Sequence, residues 1–329
     1  MRSKRAAGIV GALAALVCFS SQPVVAQAYP SRAIKLVVPF APGSPVDITA
    51  RAIAEKMSAS FKQGIVIENR VGAGGNLGTE FVARSAPDGY TLGLVLSTVL
   101  TLNPSLYKKI PFDPDKDVRP ISIATTSGQM LVVHPSLPVH SVAEFVAYAK
   151  SAAARKEPLA YASGGIGTPG HLTMEAFRVR AGFEAMHVPY RGNPPMVTDL
   201  VGGQVKAGFV TSAGMMEHVQ AGRLRGLGVS HASRSALAPE IPTVAEAGYP
   251  GFSVEVASVL LAPAGIPDSI AALLEREVHA ALKRPDVIER FRLMDTSVAR
   301  MSGSQVQAQL KADRAAWAEV VAAANMRVD

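Results

Sequence analysis

The chain has 329 residues, 48% of them apolar and 18% charged, with 33 Lys and Arg against 26 Asp and Glu and a single cysteine, Cys18. The basic residues are scattered rather than gathered into a run, which argues against a nucleic-acid surface. Without Cys18 there is no thiol chemistry and no cysteine-based metal site, and about 300 residues bury an ample core without disulfides.

The N-terminus reads as an export signal over residues 1–28. Arg2, Lys4 and Arg5 form a basic segment, Gly8 to Phe19 an apolar one, and Ala26-Gln27-Ala28 a small-x-small cleavage pattern. Cleavage after Ala28 would start the mature chain at Tyr29, in the periplasm, and remove Cys18. The apolar run is short for a membrane span, and Ser20, Ser21 and Gln22 follow it. Lipidation of Cys18 would need a small residue before it, where Val17 stands. Losing the three cations leaves 30 basic against 26 acidic residues, a mild excess that favours small anions only weakly.

Beyond Tyr29, short β-type runs alternate with helical patterns. The first strand, Ile34–Val38, runs into the loop Phe40-Ala41-Pro42-Gly43-Ser44-Pro45-Val46-Asp47, and a helix follows over Val46–Phe61. The prolines keep this loop out of a ladder. Gly43 allows close backbone approach, Ser44 adds a hydroxyl, and a helix N-terminus offers free N–H groups to an anion. The plainer reading is a strand-to-helix turn with Asp47 as a local cap. Strands at Ile65–Glu68 and Thr91–Leu96 follow, with a helix at Asn76–Arg84 between them. The run Gly72-Ala73-Gly74-Gly75-Asn76-Leu77-Gly78 misses the G-x-G-x-x-G spacing at Leu77, so it reads as a tight turn and no cofactor is expected.

Further strands are predicted at Ile121–Ala124, Met130–Val133 and Leu159–Ala162, with a helix over Ser141–Ser151 opened by a Ser141/Glu144 capping box. The second notable loop follows: Ser163-Gly164-Gly165-Ile166-Gly167-Thr168-Pro169-Gly170-His171, with Thr168-Pro169 starting a helix to Ala181. It offers several amides and two hydroxyls but no Lys or Arg, so a carboxylate there would rest on neutral donors and helix dipoles. His171 reads either as a structural hydrogen-bonder or as a ligand contact. Strands at Ala185–Val188, Val205–Val210, Leu224–Val229 and Val254–Leu261 alternate with helices at Pro194–Gly202 and Ser212–Ala221. Gly64 and Gly222 are the expected left-handed helix ends. From Pro267 onward the tail reads as helical, with Trp317 on a packing face. This rhythm defines an α/β fold with largely parallel sheets, and about ten strands imply two lobes. The seven histidines show no metal-ligand spacing, and there is no G-x-S-x-G elbow.

Several runs together resemble a known family. They include Tyr29-Pro30-Ser31-Arg32-Ala33-Ile34, Val38-Pro39-Phe40-Ala41-Pro42-Gly43, Glu68-Asn69-Arg70-Val71-Gly72-Ala73-Gly74-Gly75-Asn76 and Ala86-Pro87-Asp88-Gly89-Tyr90-Thr91-Leu92. Later ones are Asn103-Pro104-Ser105-Leu106-Tyr107, His187-Val188-Pro189-Tyr190-Arg191-Gly192, Leu200-Val201-Gly202-Gly203-Gln204-Val205 and Pro242-Thr243-Val244-Ala245-Glu246-Ala247-Gly248. Over essentially the whole mature chain they resemble the Bug, or TctC, family of periplasmic solute-binding receptors of tripartite tricarboxylate transporters.

The resemblance implies a type II two-lobed periplasmic binding protein, each lobe a mixed, mostly parallel sheet flanked by helices. A small carboxylate would lie in the cleft, held by the first loop (Phe40, Ala41, Pro42, Gly43, Ser44, Val46, Asp47). The second loop (Ser163, Gly164, Gly165, Thr168, Pro169, His171) would hold its other end. It also points to Ser97 and Thr98 inside the cleft and to Tyr190, Arg191 and Gly192 at its edge. Where the family often carries Phe-Asp-Asn, this chain reads Phe209-Val210-Thr211, which makes the pocket wall more apolar. Ser44 replaces a common second glycine. The expected lobes are 29–126 with 253–329, and 127–252. The expected partners are a two-component membrane permease or a sensor kinase, with the receptor acting as a monomer, not an enzyme. The rival reading is an exported enzyme acting on a small carboxylate.

Overall fold

The structure, a computed structural model, describes residues 29–327; the export signal expected over 1–28 lies outside them. The described strands are β1 (Ile34–Val38), β2 (Ile65–Asn69), β3 (Thr91–Leu96), β4 (Val118–Ser127), β5 (Met130–Val133), β6 (Leu159–Ser163), β7 (Ala185–Pro189), β8 (Ala207–Val210), β9 (Arg225–Val229), β10 (Val256–Pro263) and β11 (Ser297–Ser302). They form two sheets, ordered β11-β4-β10-β3-β1-β2 and β7-β6-β8-β5-β9.

Both sheets are mixed. In the first, β1 is parallel to β2 and β3, while β10 runs antiparallel to β3 and β4, and β11 antiparallel to β4. In the second, β6 is parallel to β7 and β8, and β5 antiparallel to β8 and β9. The antiparallel share exceeds what the strand–helix rhythm predicts. The cause is the route of the chain: β4 leads out of the first sheet and β10 leads back in beside it, so the two must oppose each other.

The central strands bury both faces, as strands covered by helices on each side must. β10 is buried at all of its positions, and β1 everywhere except Lys35. On one face of the first sheet, Ile34, Leu36 and Leu94 pack against Ile53 and Leu274 from the helices Pro45–Phe61 and Asp268–Ala281. On the other, Val37, Val95 and Val259 meet Val82, Val99, Val306 and Leu310. The second sheet is covered likewise, with Phe145, Tyr161 and Phe177 on one side and Met196, Leu200 and Met215 on the other.

Helix ends follow local chemistry with two departures. Ser141 accepts from the Glu144 amide at 3.1 Å, but Glu144 reaches back to the His140 amide at 2.7 Å rather than to its cap. The helix Pro45–Phe61 ends in a left-handed Lys62 (φ 53°), not at Gly64, whereas Gly222 is left-handed as expected (φ 68°). The tail departs from the helical expectation too. Between the helices Pro285–Arg292 and Gly303–Ala323 lies the edge strand β11, whose alternation is too weakly apolar to announce itself.

The two crossings between sheets lie side by side, with Val256 the register partner of Ser127. Ser230 ties them together. Its hydroxyl accepts from the Gln129 amide at 2.9 Å and donates to the Val254 carbonyl at 2.6 Å. The final helix spans both lobes: Val306 and Leu310 lie in the first lobe's core, while Trp317 and Val320 pack against the second lobe's.

Candidate ligand-binding site

The first loop is braced by charge. Asp47, buried in the first turn of its helix, accepts from the Gly43 amide at 2.9 Å, from Asn69 Nδ2 at 2.9 Å and from Arg51 Nε at 2.8 Å. Burial works against its ionisation, but donation from Arg51, Asn69 and the Gly43 amide outweighs it and holds the carboxyl below its ordinary range. Asn69 also donates to the Phe40 carbonyl at 3.0 Å, so both ends of the loop are pinned to β2. Ser44 adopts an extended N-cap conformation (φ −67°, ψ 157°) yet makes no capping bond, and its buried hydroxyl has no partner among the described residues. That leaves the first-turn amides of Val46 and Asp47 without the side-chain cap they would ordinarily find.

The second loop repeats this geometry on a different support. Thr168 has nearly the same N-cap conformation (φ −72°, ψ 157°) and also makes no capping bond; its hydroxyl donates to the Gly165 carbonyl at 2.7 Å. Beneath it stands a stack of rings, with His171 and His187 4.0 Å apart and His187 and Tyr161 4.9 Å apart between centroids. His171 Nδ1 accepts from the Gly167 amide at 3.1 Å, and His187 Nε2 lies 2.6 Å from Ser163 Oγ. Burial, reinforced by His187 and Arg178, pushes the His171 imidazole down to about 3. Burial also lowers His187, with Glu175 opposing. At the base, Tyr161 donates to Glu175 at 2.6 Å, and Arg178 pairs with the same carboxylate at 2.8 Å.

Between the loops lies a cavity of about 180 Å³. Phe40, Ser44, Pro45, Val46, Leu96 and Val256 line it from the first lobe, and Gly164, Thr168, Pro169, Gly170, Asn193, Phe209, Val210 and Thr211 from the second. Ser127 and Gln129 close it at the crossing. The helices Pro45–Phe61, Pro169–Ala181 and Ser212–Gln220 all begin at its wall, so three positive dipole ends converge there. Among the described residues, none that lines it is charged. Gly170 is required by close approach: a Cβ would stand 2.2 Å from the Phe209 carbonyl oxygen.

The predicted residues divide into three groups. Phe40, Ser44, Val46, Gly164, Thr168, Pro169, Val210 and Thr211 line the cavity. Asp47, Gly43, Ser163, Gly165 and His171 bond within or beneath the loops and present no surface to it: the Gly165 amide goes to Ser163 Oγ at 3.1 Å. Ala41 and Pro42 are exposed. Ser97 and Thr98 also lie away from the cavity, because Ser97 Oγ accepts from the Ala257 amide in the sheet at 3.1 Å, and Leu96 takes their place. Tyr190 donates to Asp199 at 2.7 Å, and burial with that bond raises its phenol to about 12. Arg191 is exposed. The run Gly72–Gly78 packs near the first loop, where Asn76 accepts from Asn103 Nδ2 at 2.8 Å.

Sequence reading missed Gln129 and Asn193. Gln129 is buried beside the crossing and donates to the Gly128 carbonyl at 2.8 Å; its only local signal is a polar residue opening an apolar strand. Asn193 sits where a Gly164 Cβ would meet its Oδ1 at 2.3 Å, so the second loop's glycine makes room for it.

Two lobes joined by paired crossings and closing on an uncharged, donor-rich cavity define a solute-binding protein of the two-lobed periplasmic type. Residues 49–326 match the tripartite tricarboxylate transporter family receptor, and the chain belongs to that family. It is 35% identical over 322 residues to Protein BugT of Bordetella pertussis (strain Tohama I), covering 98% of each chain. Its fold is similar to that of the periplasmic binding protein BugD, with TM-score 0.76 and 30% identity over 91% of this chain and all (100%) of that one. It is also similar to R. palustris Rpa4515 with adipate, with TM-score 0.78 and 33% identity over 91% of this chain and 100% of that one.

Proposed function

We propose that the chain is a periplasmic receptor that captures a small organic carboxylate with an apolar body by closing its lobes over it. The observation that carries this reading is the convergence of three uncapped helix N-termini on a cavity without a charged wall. Amides and hydroxyls there bind a carboxylate through charge-assisted hydrogen bonds, and Phe40, Leu96, Val210 and Val256 enclose its hydrocarbon part. The adipate bound by Rpa4515 has that chemistry. No acid, base or thiol side chain is among the described residues lining the cavity, which favours capture over catalysis.

In this reading the chain is exported by its N-terminal signal, cleaved after Ala28, and acts as a monomer. The first lobe is 29–126 with 253–329 and the second 127–252, the final helix bridging the two. The loaded receptor delivers its ligand to a two-component membrane permease or, alternatively, reports it to a sensor kinase.

The test is calorimetry and thermal unfolding of the mature chain with linear mono- and dicarboxylates and their methyl esters. Binding to the folded state alone stabilises by about 2.7 kcal/mol at a hundredfold excess over Kd. The expected outcome is a rise in Tm with at least one acid and none with its ester. Equal shifts with acid and ester, or no shift with any acid, would refute the reading.

A further inference from the structure

Gln129 stands where the crossing meets the main cavity, and it is held on three sides. Its backbone amide donates to Ser230 Oγ at 2.9 Å, and its carbonyl accepts from the Ser230 amide at 2.8 Å. Its side-chain Nε2 donates to the Gly128 carbonyl at 2.8 Å. A carbonyl only accepts, so that last bond fixes which way round the side-chain amide sits, with nitrogen on Gly128 and oxygen on the other branch. No described residue donates to Oε1, yet it is not one of the unpartnered side-chain atoms closed off from water. Gln129 is 4% exposed and lines the cavity of about 180 Å³, so the surface that Oε1 keeps opens there.

The other polar side chains of the wall are not fixed in this sense. Ser127 and Thr211 carry hydroxyls that turn to give or to accept, and no bond decides the orientation of the Asn193 amide. Thr168 directs its proton at the Gly165 carbonyl at 2.7 Å, but it too is a rotor. Gln129 Oε1 is therefore a fixed acceptor on a wall otherwise suited to an anion. A carboxylate brought against it sets lone pairs against lone pairs. An ammonium there finds three positive helix ends and no charged residue on the wall. The carboxylates behind the wall do not offer one: Asp47 is spent on Arg51, Asn69 and the Gly43 amide. Asp295, on the adjoining cavity, has Oδ1 on Ser235 at 2.6 Å and Oδ2 closed off. The group that satisfies Oε1 is a neutral O–H.

We propose that Gln129 determines specificity: its Oε1 accepts from a hydroxyl on the ligand, so the chain selects hydroxyl-bearing carboxylates over the plain acids. The inference rests on the carboxylate reading above, with the acid end at the helix N-termini and the hydroxyl at the crossing. Closing the lobes over an acid without that hydroxyl leaves a dehydrated acceptor unpaired. A site built around such a bond rejects the analogue that lacks it.

The experiment titrates hydroxy acids against their plain counterparts by calorimetry: lactate against propanoate, β-hydroxybutyrate against butanoate, δ-hydroxyvalerate against pentanoate, and meta- and para-hydroxybenzoate against benzoate. The matching fluoro acids join each pair, since fluorine is close to a hydroxyl in size but has no proton to give. In one pair or more, the hydroxy acid binds at least about tenfold more tightly, and the fluoro acid binds like the plain one. Gln129→Met, similar in length but without the acceptor, brings the ratio within that pair to about one. A purely structural role would weaken both members alike and leave the ratio standing. Equal affinities within every pair, a fluoro acid that matches the hydroxy acid, or a ratio that survives Gln129→Met overturns the assignment while leaving the carboxylate reading intact. Where the variant does not fold, the pairs on the unaltered chain decide by themselves. If no acid of any kind binds, the carboxylate reading falls and the assignment with it.

Discussion

The two loops present the same geometry to the cavity on opposite kinds of support. Ser44-Pro45 and Thr168-Pro169 have N-cap angles within a few degrees of each other, and neither cap residue bonds its own helix. Under the first lies an ion pair with amide donors, Asp47 with Arg51, Asn69 and Gly43. Under the second lies a stack of neutral rings in which imidazole nitrogens take the loop's hydrogen bonds. Both braces consume amides that a sequence reading would assign to the ligand. In the proposed reading, what remains for the ligand is the amide and hydroxyl set at the very start of each helix. The charged brace holds to lower pH than an ordinary aspartate would allow, whereas the imidazole brace depends on its rings staying uncharged.

The sharpest way to break the comparison is at the charged brace. Asp47→Ala leaves the Gly43 amide and Asn69 unpaired and frees Arg51, which is half exposed and so regains water. A loss of about 2–4 kcal/mol in denaturant unfolding is expected, with carboxylate affinity falling as well. A change below 0.5 kcal/mol, in order-of-magnitude terms about that of an ordinary surface site, would mean the brace is dispensable.

Next comes the close approach on the second side. Gly170→Ala adds a Cβ that meets the Phe209 carbonyl, a backbone atom that cannot swing away. A cost of about 1–3 kcal/mol is expected, read as a shift in denaturant midpoint, although alanine is the better helix former.

The difference in supports also predicts a pH dependence. His171 and His187 titrate lower in the folded chain than in the unfolded one. As pH falls below about 6.5 the unfolded chain takes up protons that the folded chain does not. Stability is therefore full above that pH and drains away as pH falls toward about 3, where His171 titrates in the folded chain. The slope reaches about 1.4 kcal/mol per pH unit for each histidine that stays neutral. His171→Gln should flatten the profile between pH of about 6 and 4, measured by unfolding across a buffer series. An unchanged slope would show that the ring stack does not control the second loop.

At the cavity wall, Val210→Asp should reorder a panel of aromatic acids, dicarboxylates and amino acids. It places an unpaired carboxylate against the ligand at a desolvation cost of about 1–3 kcal/mol. An identical rank order would separate Val210 from the ligand's contacts. The smallest effect belongs to Ser44→Ala. Removing a buried, unpartnered hydroxyl should leave stability unchanged within about 0.5 kcal/mol while weakening carboxylate affinity about threefold to tenfold. Unchanged affinity would place Ser44 outside the contact set.

Much of this was legible because local chemistry decided it. β1, β3 and β5 begin and end where their apolar runs do, and the two loops show their strand–turn–helix setting in Gly, Pro, Ser and Thr. Ser44, Thr168, Val210 and Thr211, singled out on that basis together with the family resemblance, line the cavity. What escaped depends on distant partners. Ser97 turns away because β10, more than 150 residues on, offers the Ala257 amide. Asn193 and Gln129 reach the cavity only because the fold brings three separate segments together, and no periodicity records that. The helical tail concealed β11, an edge strand that gains its place by pairing with β4 rather than from its own pattern.

The pairing of Ser127 with Val256 has a further consequence for how the molecule can be taken apart. The intervening stretch leaves and returns at adjacent points, so it can be excised as one piece and the remaining halves rejoined by a few residues. Its own ends, Gly128 and Glu255, are then neighbours that need no long tether. The excised piece would still expose the patch where Trp317 and Val320 of the final helix rest, and replacing the apolar residues there would make it self-sufficient. A receptor arranged this way lends itself to exchange of one half between relatives, with the helix contact as the part that must be matched.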